Sequence, residues 1–154
     1  MLQVRIPDSA VLDLFSGTGQ IGIEALSRGA REVICVEKAG QAIGVIKSNL
    51  EKIHAEENGE PITLMRGSCD AVLEELGKAG RKFDLIYMDP PYRIAQKQGE
   101  ILTEIITRYD MLNPDGFVIL EHASDEELHT DVINMKPVRS CSYGLCVLTF
   151  FSKG

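Results

Sequence analysis

The chain has 154 residues, of which 44% are hydrophobic and 25% charged, and its formal net charge is −7. We expect residues 1–154 to form a single domain, and because no apolar run can span a bilayer and no signal peptide is evident, we expect a cytoplasmic protein. The negative charge argues against a large nucleic-acid-binding surface, which normally carries a basic excess, although it leaves room for a local basic patch.

Apolar strands alternate with amphipathic helices from residue 10 to residue 122. Buried strands are predicted at residues 10–17, 32–37, 61–67, 82–89 and 116–122. Helices are predicted between them at residues 18–30, 38–58, 69–80 and 99–112, and a turn at 113–116 (NPDG). Strands that are continuously apolar and alternate with helices indicate a parallel sheet covered by helices on both faces.

The pattern changes after residue 130. Two strand-like runs flank a turn, which predicts an antiparallel hairpin at the edge of the sheet. Together these elements predict an α/β, Rossmann-like fold with a mostly parallel seven-stranded sheet.

Residues 17–22 (GTGQIG) satisfy the pattern G-x-G-x-x-G between a predicted strand and a predicted helix. Glu37 follows at the end of the second predicted strand. Glycines here let a ligand approach the backbone closely, and an acid at the second strand end can accept hydrogen bonds from ribose hydroxyls. The pattern predicts an adenosine-containing cofactor, with a tight turn that needs glycine only for steric reasons as the alternative.

Two further acids favour S-adenosylmethionine over a nicotinamide dinucleotide. Asp13 lies inside the first predicted strand, where a carboxylate is costly unless it meets a charged or donating group. It would repel a pyrophosphate but attract the ammonium and sulfonium groups of S-adenosylmethionine. Asp70 follows the third predicted strand and can accept from the adenine amino group, while the Ala71 N–H donates to the ring. Alternatively, Asp13 caps nearby N–H groups and Asp70 caps its helix.

The fourth predicted strand ends in an acid, two prolines and a tyrosine, at residues 88–92 (MDPPY). The Asp89 carboxylate and the Pro90 carbonyl can accept both N–H bonds of an exocyclic amine, and the prolines hold this loop rigid. Tyr92 offers an aromatic face to a planar base. The motif therefore predicts a cradle for a planar amide or amine, whereas a rigid turn is the simpler interpretation.

The segments DLFSGTG, VEK, CDA and DPPY, in this order, resemble the class I S-adenosylmethionine-dependent methyltransferases that modify exocyclic nitrogens. Within that group, LDLFSGTGQIGIEALSRGAREVICVEK is similar to the RsmD-type 16S ribosomal RNA (guanine-N2)-methyltransferases, and the resemblance extends from Val11 almost to the end of the chain. It implies a class I methyltransferase fold, S-adenosyl-L-methionine as cofactor and 16S rRNA within the small ribosomal subunit as partner.

The motifs assign the residues of the expected site. The expected cofactor-binding residues are Asp13, Phe15, Ser16, Gly17, Gly19, Glu37, Lys38, Asp70, Ala71 and Asp89. The expected catalytic residues are Asp89, Pro90, Pro91 and Tyr92. No metal site is expected, because the spacing of Cys141 and Cys146 with His122 and His129 fits no standard zinc pattern.

The chain departs from the family pattern before its first strand. Only MLQVRIPDSA precedes that strand, where family members typically carry a longer basic segment. We therefore expect a truncated form or a fragment. Alternatives are methylation of adenine or of protein glutamine, a cofactor-binding core without activity, and an NAD-dependent dehydrogenase.

Overall fold

The computed structural model describes residues 6–52 and 62–154, and these ranges contain seven strands, four α-helices and one short 3-10 turn. The strands are β1 (Ala10–Leu14), β2 (Glu32–Glu37), β3 (Ile62–Arg66), β4 (Phe83–Met88), β5 (Leu112–Ala123), β6 (Lys136–Tyr143) and β7 (Cys146–Ser152). The helices are α1 (Gln20–Ser27), α2 (Gly40–Lys52), α3 (Cys69–Lys78) and α4 (Ala95–Arg108), and the 3-10 turn is Thr130–Val132.

All seven strands join one sheet in the order β3-β2-β1-β4-β5-β7-β6. Strands β1 to β5 pair in parallel, whereas β7 pairs antiparallel with both β5 and β6. The predicted mostly parallel sheet with an antiparallel C-terminal edge is therefore confirmed. The strand order reverses between β1 and β4, and in open α/β sheets such a reversal opens a crevice at the carboxyl ends of the strands.

Alternate residues of each central strand enter two different apolar cores. Leu12 and Ile86 face the side that is covered by α3 and α4. Val11 and Leu85 face the side on which α1 packs, together with the buried Cys35. Because both faces are covered, the central strands are mostly apolar, with Asp13 in β1 and Asp84 in β4 as exceptions, and this explains their long apolar runs in the sequence.

Several predicted boundaries are wrong: the first strand ends at Leu14 rather than at residue 17, and α4 ends at Arg108 rather than at residue 112. Helix α4 begins at Ala95 rather than at residue 99, because its first turn, AQKQ, lacks the large apolar residues that mark a helical face. The NPDG stretch at 113–116 is no separate turn but an irregular part of β5: Phe83 pairs with Leu112, while Leu85 already pairs with Phe117. The extra residues on β5 are accommodated as a bulge.

The predicted helix over 38–58 and the predicted strand over 61–67 both extend into residues 53–61, which lie outside the described residues. Within the described ranges, no helix combines the length and the apolar character that a membrane crossing requires.

Candidate active site

The loop after β1 lies at the crevice where the strand order reverses. Phe15, Gly17 and Gly19 all have left-handed backbone conformations, with φ of 58°, 58° and 79°. The Gly19 N–H donates to the Ser16 carbonyl (2.8 Å), and α1 begins at the next residue. Glycine is favoured at 17 and 19 because residues with a Cβ rarely adopt this conformation.

Glu37, at the end of β2, holds this loop from the side. Its Oε1 accepts from the Gly17 N–H at 2.9 Å, and its Oε2 accepts from the N–H groups of Lys38 and Ala39, both at 3.0 Å. A carboxylate has about four acceptor positions, so three backbone donors leave capacity for a ribose hydroxyl. The sequence predicted ribose binding by Glu37, and the structure adds a second role in shaping the glycine loop.

Asp13 is buried beneath the loop, with 2% of its surface exposed. Among the described residues, its Oδ2 atom has no hydrogen-bond partner. Burial raises the pKa of Asp13 to about 7, with Asp89 and Glu37 adding smaller upward shifts and the Ser16 hydroxyl opposing them. An unpartnered buried carboxylate between two other acids is suited to a cationic ligand group and is unsuited to phosphate.

A cavity of about 610 Å³ opens at the carboxyl ends of β1, β2, β3 and β4. Its volume is in the range of small-molecule and cofactor sites. Predicted site residues on its wall are Phe15, Gly17, Glu37, Lys38, Asp70, Asp89, Pro90, Pro91 and Tyr92. The structure therefore brings together residues from four separate strand ends, as the parallel sheet predicts.

In the described part of the chain, the remaining predicted cofactor-binding residues do not line this cavity. Asp13, Ser16 and Gly19 are buried. Ala71 is exposed toward a groove between α3 and α4, and it lies in the first turn of α3, where backbone N–H groups have no acceptor within the helix. Its N–H is therefore available to a ligand even though its side chain faces the groove.

Six lining residues were missed from the sequence: Val36, Gly67, Ser68, Cys69, Ile94 and Gln98. Ser68 occupies the N-cap position of α3, although its side chain makes no capping hydrogen bond, and the preference for serine at this position could have placed it beside Asp70. Burial raises the pKa of the Cys69 thiol to about 11, so this side chain is a neutral wall near neutral pH. Gln98 carried no recognisable signal, because it lies in the polar first turn of α4.

The segment from Asp89 to Tyr92, here called the acceptor loop, leaves β4 at the mouth of the cavity. Pro90 is buried, whereas the Tyr92 side chain is about half exposed. Asp89 is exposed to solvent at this mouth, but the protein atoms around it partly desolvate its carboxylate and raise its pKa to about 6, and the charge of Glu121 adds to this shift. Glu121 in turn accepts a hydrogen bond from the Tyr87 hydroxyl.

Metal-binding side chains do not cluster within residues 6–52 and 62–154, where no group of three or more such residues could hold an ion. His122 pairs with the Thr149 hydroxyl at 2.9 Å, and Cys141 and Cys146 are free thiols on β6 and β7.

Comparisons with known proteins agree with this arrangement. The family described as "Conserved hypothetical protein 95" matches residues 1–152. A "Putative rRNA methyltransferase YlbH" of Bacillus subtilis is 37% identical over 142 residues, which cover 92% of this chain and 74% of that protein. A "Ribosomal RNA small subunit methyltransferase D" of Haemophilus influenzae is 29% identical over 130 residues, and these cover 84% of this chain but only 64% of that protein.

A solved structure also resembles this chain over almost its whole length. A conserved hypothetical protein from Streptococcus pyogenes superposes with a TM-score of 0.79 at 27% identity, covering 96% of this chain and 88% of that chain. The chain therefore belongs to the "Conserved hypothetical protein 95" family, the RsmD-type methyltransferases whose motifs it carries.

Proposed function

We propose that this chain binds S-adenosylmethionine and transfers its methyl group to the exocyclic N2 of a guanine in small-subunit ribosomal RNA. The observation that carries the proposal is the meeting, in one cavity, of Glu37 and Asp70 with the acceptor loop. The proposal treats the chain as one domain that acts in the cytoplasm, where its RNA is found.

The residues present fit this cofactor. Glu37 accepts from the ribose hydroxyls, Asp70 accepts from the adenine amino group, and the Ala71 N–H donates to the ring. The unpartnered Oδ2 of Asp13 provides negative charge close to the glycine loop, which suits a cofactor that has an ammonium and a sulfonium and no phosphate. When bound, the cofactor supplies an electrophilic methyl group.

The acceptor loop orients the amine. The lone pair of an exocyclic amine is delocalised into its ring, so the amine is a poor nucleophile until its N–H groups are held. Asp89 and the Pro90 carbonyl accept those N–H bonds, and the missing N–H and fixed φ of proline keep the carbonyl in place. With its pKa near 6, Asp89 is mostly ionised at neutral pH and is a weak base. Its contribution is positioning and electrostatic stabilisation.

The identity of the acceptor is supported by the relatives, which are named for ribosomal RNA methylation. Guanine N2 is supported by the RsmD-type motifs themselves. Adenine and protein glutamine present similar amino groups, so they remain the acceptors against which the proposal is tested.

The test is methyl transfer from labelled S-adenosylmethionine to small ribosomal subunits from a strain that lacks this enzyme, followed by mapping of the modified base. Large subunits, DNA and a glutamine peptide are parallel acceptors. We expect label at one guanine of the small-subunit RNA. Label only in another acceptor, or cofactor binding without transfer to any acceptor, would overturn the proposal.

Variants of Asp89 test the role of the acceptor loop in the same assay. Asp89→Asn keeps one acceptor oxygen, so we expect it to retain more of the single-turnover rate than Asp89→Ala. The matched control is Asp115→Ala, which should be as active as wild type. Asp115 is exposed and lies near the start of β5, at the edge of the sheet opposite the acceptor loop. Equal rates for Asp89→Asn and Asp89→Ala would contradict the role in orienting the amine.

A further inference from the structure

The loop that follows β5, residues 124–129 and here called the acidic loop, is held at both ends. The Ser124 N–H donates to the Leu145 carbonyl at 2.8 Å, in the turn between β6 and β7. At the other end, the Gln96 side chain accepts from the His129 N–H at 2.7 Å and donates to the His129 carbonyl at 3.2 Å. Its composition, SDEEL, is typical of a solvated loop, yet these contacts fix it to α4 and to the hairpin.

The acidic loop contacts the acceptor loop through one side chain. The Tyr92 hydroxyl donates to the Asp125 Oδ2 at 2.6 Å, across 33 residues of sequence. Because Asp125 lies on a loop that is fixed at both ends, the hydrogen bond restricts where the far edge of the Tyr92 ring can lie.

Arg93 covers part of the same ring. Its guanidinium carbon lies 4.9 Å from the Tyr92 ring centroid, within the distance of a cation–π contact. Arg93 has a φ of 73°, a left-handed conformation that a non-glycine residue adopts at a cost. The backbone therefore accepts strain at the residue that brings this guanidinium over the ring.

We propose that Asp125 and Arg93 are positioning residues for the acceptor base: Asp125 fixes the edge of the Tyr92 ring and Arg93 closes one of its faces, so that a planar heteroaromatic base stacks on the other face. This inference rests on the proposed function and deepens it. It assigns a role in catalysis to a residue of the acidic loop, 33 positions from the motif that it supports.

A double-mutant cycle tests whether Asp125 acts through the Tyr92 hydroxyl. The variants are Asp125→Ala, Tyr92→Phe and the double variant, measured by single-turnover methyl transfer to the guanine acceptor. We expect each single variant to slow transfer roughly 5-fold, the size expected for one lost hydrogen bond, and the double variant to be no slower than either. Cofactor affinity, measured by calorimetry, should be unchanged in all three.

Two matched variants make the result specific. Asp125→Asn keeps an acceptor oxygen and should retain most of the rate, and Glu127→Ala, an exposed acid of the same loop, should match wild type. A spectroscopic readout independent of turnover is the titration of labelled tyrosine followed by NMR. The hydrogen bond to Asp125 raises the pKa of Tyr92, so Asp125→Ala should lower that pKa.

Arg93 is tested by Arg93→Lys and Arg93→Ala, of which only the first keeps a cation. We expect Arg93→Ala to raise the KM for the RNA more than it lowers kcat, because the closed ring face orients the base before chemistry. The inference is overturned if wild type transfers the methyl group but the slowing in the double variant equals the product of the slowing in Asp125→Ala and in Tyr92→Phe. It is also overturned if Asp125→Ala leaves the pKa of Tyr92 unchanged. If wild type methylates no acceptor, the proposed function fails and the inference fails with it.

Discussion

Asp13 is the residue whose burial is least compatible with its charge. Its folded pKa of about 7 lies above the value of 3.8 for an exposed aspartate. Between these two values the native chain binds more protons than the unfolded chain. The free energy of unfolding contributed by Asp13 therefore falls as the pH rises from about 4 to about 7, and it changes no further above that range.

We predict that Asp13→Asn stabilises the chain at pH 8 and weakens cofactor binding. The substitution removes a buried charge whose pKa shift corresponds to as much as about 4 kcal/mol. Thermal unfolding measured from pH 4 to pH 8 should show that the stability of the variant relative to wild type increases as the pH rises. Calorimetry should show weaker binding of S-adenosylmethionine. The exposed Asp115→Asn is the control. A difference between Asp13→Asn and wild type that does not change with pH would contradict the shifted pKa.

Individual site residues could be predicted where they lie at a strand end or in the few residues that follow it. Glu37, Asp70 and Asp89 each follow an apolar run, and the parallel sheet forces the ends of those runs together. The contact between Tyr92 and Asp125 could not be predicted, because nothing in a polar loop indicates which distant side chain it reaches.

Elements were predicted best where burial dictates their composition. The second strand, Glu32–Glu37, was predicted with its observed bounds because its four central residues are all buried. The start of α4 and the bulge in β5 were missed because tertiary contacts determine the conformation of both segments, the polar first turn of α4 and the NPDG stretch of β5. Propensity and pattern carry too little energy to outweigh packing at such places.

Two glycines in neighbouring helices provide a matched test of packing. A Cβ at Gly22, in α1, would lie 2.6 Å from the Cys35 Sγ, whereas a Cβ at Gly44, in α2, would meet no atom within 4 Å. We predict that Gly22→Ala destabilises the chain by about 1–3 kcal/mol through overpacking, and that Gly44→Ala stabilises it by about 0.4–1 kcal/mol through helix propensity. Denaturant unfolding measures both, and a stabilising Gly22→Ala would show that α1 can move away from β2.

Charge is distributed over the whole molecule in a way that limits RNA binding. Several basic side chains are already paired with acids: Arg108 contacts Glu74 and Glu104 at 2.9 and 2.8 Å, and Lys82 and Lys153 both contact Asp110. With a net charge of −7, the molecule repels a phosphate backbone over most of its surface.

We predict that this chain binds short naked RNA weakly and with a strong salt dependence, through basic residues next to the acceptor loop such as Lys97. Lys97→Ala should lower the slope of log K against log salt by about one unit, because one phosphate contact is lost. Lys78, at the end of α3 that lies far from the site, is the control. Tight binding that is insensitive to salt would rule out this electrostatic account.

Strand β7 lies between β5 and β6, although it is made after both. The apolar edge of β5 therefore has no strand partner in any folding intermediate in which Cys146–Ser152 has not yet docked. Strand β6 carries Lys136, Pro137 and Arg139, and charged residues and proline disfavour pairing with other strands. Strand β5 has no such residue at positions 118–120, which are all apolar. Conditions that delay the docking of β7 lengthen the interval in which this edge can pair with another chain, so aggregation during refolding should rise with protein concentration.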